Sequence, residues 1–204
     1  MTSPGNEEQA SSLLADDARE RVLSTAYDLF CREGIRAVGI DRIISEADVA
    51  KMTLYRHFPS KDDLVLEVIE RRKQLWTWGW IDADMRRRSD EPIGQLLAIF
   101  EILDEWFHSA EYESCLFIGV LREFGETDSP LLAASREALA DVRTLVMAPA
   151  KEAGIENPEE FAFNWQVLMS GSIVCADMGY LDAAKRAGEA ARLILGQRGL
   201  IAAD

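Results

Sequence analysis

Between Gly34 and Pro59 the chain has room for two short helices and little else. Ile40, Ile43, Ile44 and Ala47 recur at helical spacing and give one apolar stripe over 40–46. Asp48 and Val49 interrupt it. A second short segment, 50–57, is stopped by Pro59, because the residue before a proline avoids helical geometry. A longer helix is expected upstream over 18–33, where Val22, Leu23, Ala26, Tyr27 and Phe30 form a stripe. Asp16 or Asp17 can cap its start, and Gly34 stops its end. Two short helices on a tight turn, braced by a third, make a helix-turn-helix. Such a unit needs a small residue where its helices meet, an apolar anchor after the turn, and outward side chains early in the second helix. Ala47, Val49 and the run Lys51, Met52, Thr53 meet those three demands.

The pattern after Pro59 stays helical. Ser60 with Asp63 resembles a capping box opening a fourth helix, whose stripe is Leu64, Val65, Val68, Ile69 and Leu75. Further helices are expected from Pro92 to about Ser109, over 114–124, from Asp128 or Ser129 to near Gly154, from Asn157 to about Gly179, and from Asp182 to near Gly196. No stretch alternates as a strand would. The expected fold is all-α with roughly nine or ten helices. Residues 1–15 read as a disordered lead-in, 16–76 as the domain holding the helix-turn-helix (39–58), and 77–204 as a second helical domain.

Charge sets the two parts of the chain apart. The whole carries 22 Lys and Arg against 36 Asp and Glu, a net charge of −14, which argues against attraction to nucleic acid along its full length. From Asp16 to Lys73 there are 11 basic and 12 acidic side chains, and from Gln74 to Asp204 there are 11 and 22. The first third is therefore balanced and can present a local basic face.

Several chemistries are disfavoured. Cys31, Cys115 and Cys175 are odd in number and widely spaced, so they are expected as reduced, buried thiols and not as a disulfide framework. There is no CxxC, and His57 and His108 are the only histidines, so neither a metal site nor a cofactor is expected. No GxSxG, HExxH or phosphate loop occurs, which speaks against an enzyme. The polar N-terminus lacks a signal-peptide pattern, and no apolar run reaches the ~20 residues of a membrane span, so a cytoplasmic protein is expected.

The run GIDRIISEADVAKMTLYRHFPSKDDL (39–64) resembles the DNA-binding helices of the tetracycline-repressor (TetR) family of transcriptional regulators. The family pattern is roughly T-x-x-x-I-A-x-x-A-G-V-S-x-x-T-L-Y-x-H/Y-F-x-s-K-x-x-L. Ile43, Ala47, Val49, Thr53, Leu54, Tyr55, His57, Phe58, Lys61 and Leu64 match it, and Ala26, Leu29, Phe30 and Gly34 resemble the family's first helix. The chain departs from the pattern at Asp48 (usually glycine), Ala50 (usually serine), Gly39 (usually threonine) and Met52 (commonly glycine). The resemblance implies that Tyr55, His57 and Lys61 contact phosphates and that Lys51, Met52 and Thr53 face base edges, with Met52 suited to a thymine methyl. Arg42, on the outer side of the second helix, can reach a phosphate.

The remaining two-thirds holds all five tryptophans. CLFIGVLREF (115–124) and DAAKRAGEAARLIL (182–195) resemble a TetR-type ligand-binding and dimerisation domain. Trp76, Trp80, Met85, Trp106, His108, Cys115, Phe117, Val120, Trp165 and Met169 are candidates to line an apolar pocket. The helix from Pro158 is apolar around most of its circumference, so Phe163, Val167, Ser170, Val174 and Met178 are candidates for a subunit interface. The expected function is a homodimeric repressor of a palindromic operator on double-stranded DNA, released by a small-molecule inducer. The alternatives are a TetR-type activator and a helical protein-interaction adaptor that has lost sequence-specific DNA binding.

Overall fold

The computed structural model describes residues 4–125 and 129–202, with side chains described from Asp17 onward. Among these residues there is no strand, and the helices are α1 (Pro4–Glu33), α2 (Ile40–Glu46), α3 (Lys51–His57), α4 (Lys61–Arg72), α5 (Ala83–Arg88), α6 (Pro92–Phe107), α7 (Leu116–Phe124), α8 (Pro130–Glu152), α9 (Pro158–Asp177) and α10 (Ala183–Gln197). A π-helical segment, Lys73–Asp82, lies between α4 and α5. Among the described residues no helix is long and apolar enough to cross a membrane.

The chain divides into two compact units. The first is Met1–Arg72 together with Leu116–Ser135, and the second is Lys73–Cys115 together with Arg136–Asp204. The division thus falls at 72/73, against the 76/77 read from sequence, and α7 with the start of α8 joins the N-terminal helices.

In the first unit α1 packs on α2, α3 and α4, and α4 packs on α7. Val22, Leu23, Ala26 and Phe30 of α1 are buried, as are Leu64, Val65, Val68 and Ile69 of α4, so the stripes read from sequence face inward. Leu54 and Phe58 anchor α3 and its exit in the same core. Each such side chain contributes about 1.5–3 kcal/mol of apolar burial. Ser60 and Asp63 form a reciprocal cap at the start of α4: Ser60 N donates to Asp63 Oδ2 at 3.0 Å and Asp63 N to Ser60 Oγ at 3.1 Å.

The second unit is centred on α6, α9 and α10. Trp165 stacks on Phe161 with ring centroids 4.9 Å apart and leans on Phe100 at 5.2 Å. Trp76, Trp80 and Trp106 meet edge to face, and Tyr112 packs on Trp106 at 4.9 Å.

Some sequence expectations need correcting. α1 runs back to Pro4, so Asp16 and Asp17 lie within a helix and do not cap one. Of the expected lead-in, residues 1–3 and the side chains of 4–16 lie outside the described residues; so does Asp128, a candidate cap of α8. Asn157 precedes α9 with φ of +53° and makes no side-chain cap, so proline at the first turn sets that start. Cys31 and Cys115 are buried, but Cys175 is exposed on α9. The sequence reading places no element between Leu75 and Pro92, where the structure has the π-helical segment followed by α5. Ion pairs one turn apart hold α5, with Arg86 Nε 3.0 Å from Asp82 Oδ1 and Arg88 pairing with Asp84.

Candidate nucleic-acid interface

Helix α2 ends in a left-handed turn. Asp48 takes φ of +51°, and Val49 N donates to Ile44 O at 3.3 Å, which closes the helix end with a bond from the second residue beyond the C-cap Ala47. Aspartate tolerates this conformation better than most residues, which is how the turn survives without the usual glycine. Ala47 is buried where the helices approach and Val49 is half-buried after the turn. Gly39 before α2 and Ala50 before α3 make no side-chain cap, as their side chains dictate.

The sequence-derived residues of α3 differ in exposure. Lys51, Met52 and Tyr55 are exposed on α3, and Thr53 and His57 are half-buried. Met52 is 80% exposed, an apolar side chain held in solvent early in α3. Arg56, which the sequence reading did not single out, is also exposed, one turn after Met52. That spacing was the signal that could have found it.

The candidate cations differ in how they are held. Arg42 Nε donates to Glu46 Oε1 at 2.7 Å and its Nη2 to Glu33 Oε1 at 2.8 Å. Glu33 first, then Glu46, raises the guanidinium pKa, and the Arg42 hydrogen bond lowers that of Glu33. Lys51 Nζ lies 3.2 Å from Asp41 Oδ1. Lys61, at the start of α4, donates to Ile35 O at 2.6 Å and stands 5.7 Å from the Phe30 ring centroid. Burial lowers its pKa, opposed by Glu123 and Asp62. Arg56 makes no ion pair among the described residues.

The other candidates lie elsewhere. Trp76, Met85, Trp106, Cys115, Trp165 and Met169 are buried in the second unit, with Trp80 half-buried. Phe117 and Val120 belong to the first unit's core. His108 is exposed, its Nδ1 2.8 Å from Asp104 O. A cleft of ≈ 530 Å³ opens between α6 and α10, lined in part by Leu97, Phe100, Glu101, Lys185, Glu189 and Arg192, and it shares no residue with the expected pocket. Phe163, Val167, Val174 and Met178 are exposed along α9, with Ser170 half-buried among them.

Comparison with known proteins agrees with this geometry. Residues 22–68 match the family described as bacterial regulatory proteins, tetR family. The chain is 29% identical over 140 residues to the HTH-type transcriptional regulator LmrA of Bacillus subtilis, covering 68% of this chain and 73% of that one. Over 67 residues it is 37% identical to the HTH-type transcriptional activator FasR of Mycolicibacterium smegmatis, 33% of this chain and 31% of that protein. Its fold matches the crystal structure of a TetR-family transcriptional regulator from Streptomyces coelicolor with a TM-score of 0.81 and 25% identity, covering 97% of this chain and 96% of the other. It also matches the reduced form of Escherichia coli NemR, with a TM-score of 0.75, 17% identity, and 84% and 94% covered. Residues 22–68 thus carry the DNA-binding domain of the tetR family of bacterial regulatory proteins, and the chain is a DNA-binding transcriptional regulator.

Proposed function

We propose that the protein is a cytoplasmic, homodimeric repressor that leaves a palindromic operator when a small molecule binds its second unit. The observation that carries the dimer is the face of α9. Phe163, Val167, Ser170, Val174 and Met178 follow one another at intervals of four, three, four and four, so they share a stripe. Phe163, Val167 and Met178 are each more than half exposed, and Leu193 on α10 is 69% exposed. α9 packs on α10, so two copies related by a two-fold would bury four apolar helix faces together.

In this reading α3 enters the major groove. Lys51, Met52 and Thr53 face base edges, with Arg56 beside them, and Tyr55, His57, Lys61 and Arg42 serve the phosphates. For Lys61 this requires the ammonium to turn from Ile35 O. The cleft between α6 and α10 is roomy enough for a drug-sized ligand and supports a seat for the inducer. A ligand that favours the dimer with mis-spaced heads would shift the population off DNA, with coupling of about 1–3 kcal/mol.

Activation is the second reading, favoured by the match to the activator FasR over the reading head. A reporter driven from the bound promoter separates the two. Deleting the regulator raises expression for a repressor and lowers it for an activator. Light scattering on the protein with a selected duplex tests the dimer, and a single copy per duplex would overturn it.

A further inference from the structure

We propose that Glu123 is a positioning residue for DNA binding: from α7, its carboxylate fixes the backbone that leads into the helix-turn-helix. Two consecutive amides donate to it, Ile35 N to Oε1 at 3.1 Å and Arg36 N to Oε2 at 2.7 Å. Both amides lie past the end of α1, in the loop 35–39 that delivers the chain to α2. A charged acceptor shared by two N–H groups makes stronger hydrogen bonds than a neutral one. Gly34 permits the approach: its φ is +85°, and a methyl group there would stand 2.7 Å from Glu123 Oε1.

The Ile35 residue is gripped at both ends of its backbone. Glu123 takes its N–H, and Lys61 Nζ donates to its carbonyl at 2.6 Å. The next residues add a second contact, with the Arg36 guanidinium 5.1 Å from the Phe124 ring centroid. The N-terminus of α2 has no side-chain cap, because Gly39 at its N-cap has no side chain to cap with. α7 belongs to the reading unit, but the chain enters it from Cys115 of the second unit and returns to that unit at Arg136. A shift of α7 therefore reaches the loop through this carboxylate, and through the loop reaches α2 and Lys61.

The test uses the full chain, a duplex selected by the wild-type protein from a randomised library, and a scrambled duplex of the same length. Glu123→Ala is expected to speed amide exchange at Ile35 and Arg36 and leave Val65 and Val68 in α4 protected. It is also expected to weaken binding to the selected duplex on the order of tenfold while sparing the scrambled one. Glu123→Gln keeps one acceptor oxygen and should fall between. A carboxylate acting by charge alone would do the reverse, its loss tightening both duplexes together. That result overturns the proposal, as does an unchanged ratio of selected to scrambled affinity once the two amides exchange faster. Should Glu123→Ala fail to fold, Glu123→Gln decides by the same two readouts.

Discussion

Arg42 and Glu33 tie α2 to the end of α1, the guanidinium donating from Nη2 to Glu33 Oε1 at 2.8 Å. With Glu46 on its other side, the cation is neutralised on the surface proposed to meet DNA. An exposed pair of this kind is weak because solvent and salt screen it, so the carboxylate competes only weakly with a phosphate. Glu33→Gln should tighten binding to any duplex by up to about fivefold at low salt. Arg42→Ala should lower the salt slope of log affinity by about one. Fluorescence anisotropy over a salt series reads both. Equal slopes for Arg42→Ala and wild type would remove Arg42 from the interface.

Asp48 occupies a left-handed backbone with φ of +51°, which glycine adopts freely. Removing the Cβ there should stabilise the turn by about 0.5–1 kcal/mol, since the native conformation is strained for a side chain. Asp48→Gly is expected to raise the urea midpoint with no change in its slope, and Asp48→Val to lower it. A lower midpoint for the glycine variant would mean that the aspartate side chain stabilises the turn more than its backbone strains it.

What the sequence disclosed and what it hid follow from how far each interaction reaches along the chain. α3 was legible because Leu54, Phe58 and Pro59 lie within six residues of one another, and the cap of Ser60 on Asp63 spans three. The clamp of Glu123 on Arg36 joins residues 87 apart, and nothing local at either end announces it. α5 left a faint signal, charges one turn apart in DADMRRR, which its apolar content was too thin to reinforce. The tryptophans told of a core but not which element they ride on, and the π-helical winding of Lys73–Asp82 has no period in a sequence pattern.

Acid should act partly through Glu20. A hydrogen bond from Arg71 lowers its pKa below the usual 4.5, against a smaller opposing effect of burial. A carboxylate whose folded pKa is depressed adds stability above its unfolded pKa and loses it as pH falls through the folded one. The pair is solvent-exposed, with Glu20 at 58%, so the effect is a few tenths of a kcal/mol. Arg71→Met should therefore lose less stability than wild type between about pH 7 and about pH 3. Urea unfolding at the two pH values measures the difference, and identical losses would show that the ion pair is not formed in solution.

The face of α9 supplies the sharpest test of how the reading heads work together. Val174 is 40% exposed and Val167 55%, so a charge at either position leaves the subunit's own core intact. Between two copies the same charge would be buried against its twin without a partner, which a subunit interface does not tolerate. Val174→Asp and Val167→Asp should each give a folded monomer, its helical circular dichroism and melting curve close to wild type apart from lost concentration dependence. The two heads of a dimer bind as one because the second contact is intramolecular, so separating them should weaken binding to a two-half-site duplex by about 10²-fold or more. Binding to a single half-site should stay as weak as before. If both variants keep the mass of a dimer, the exposed stripe serves some other surface and the subunits meet elsewhere.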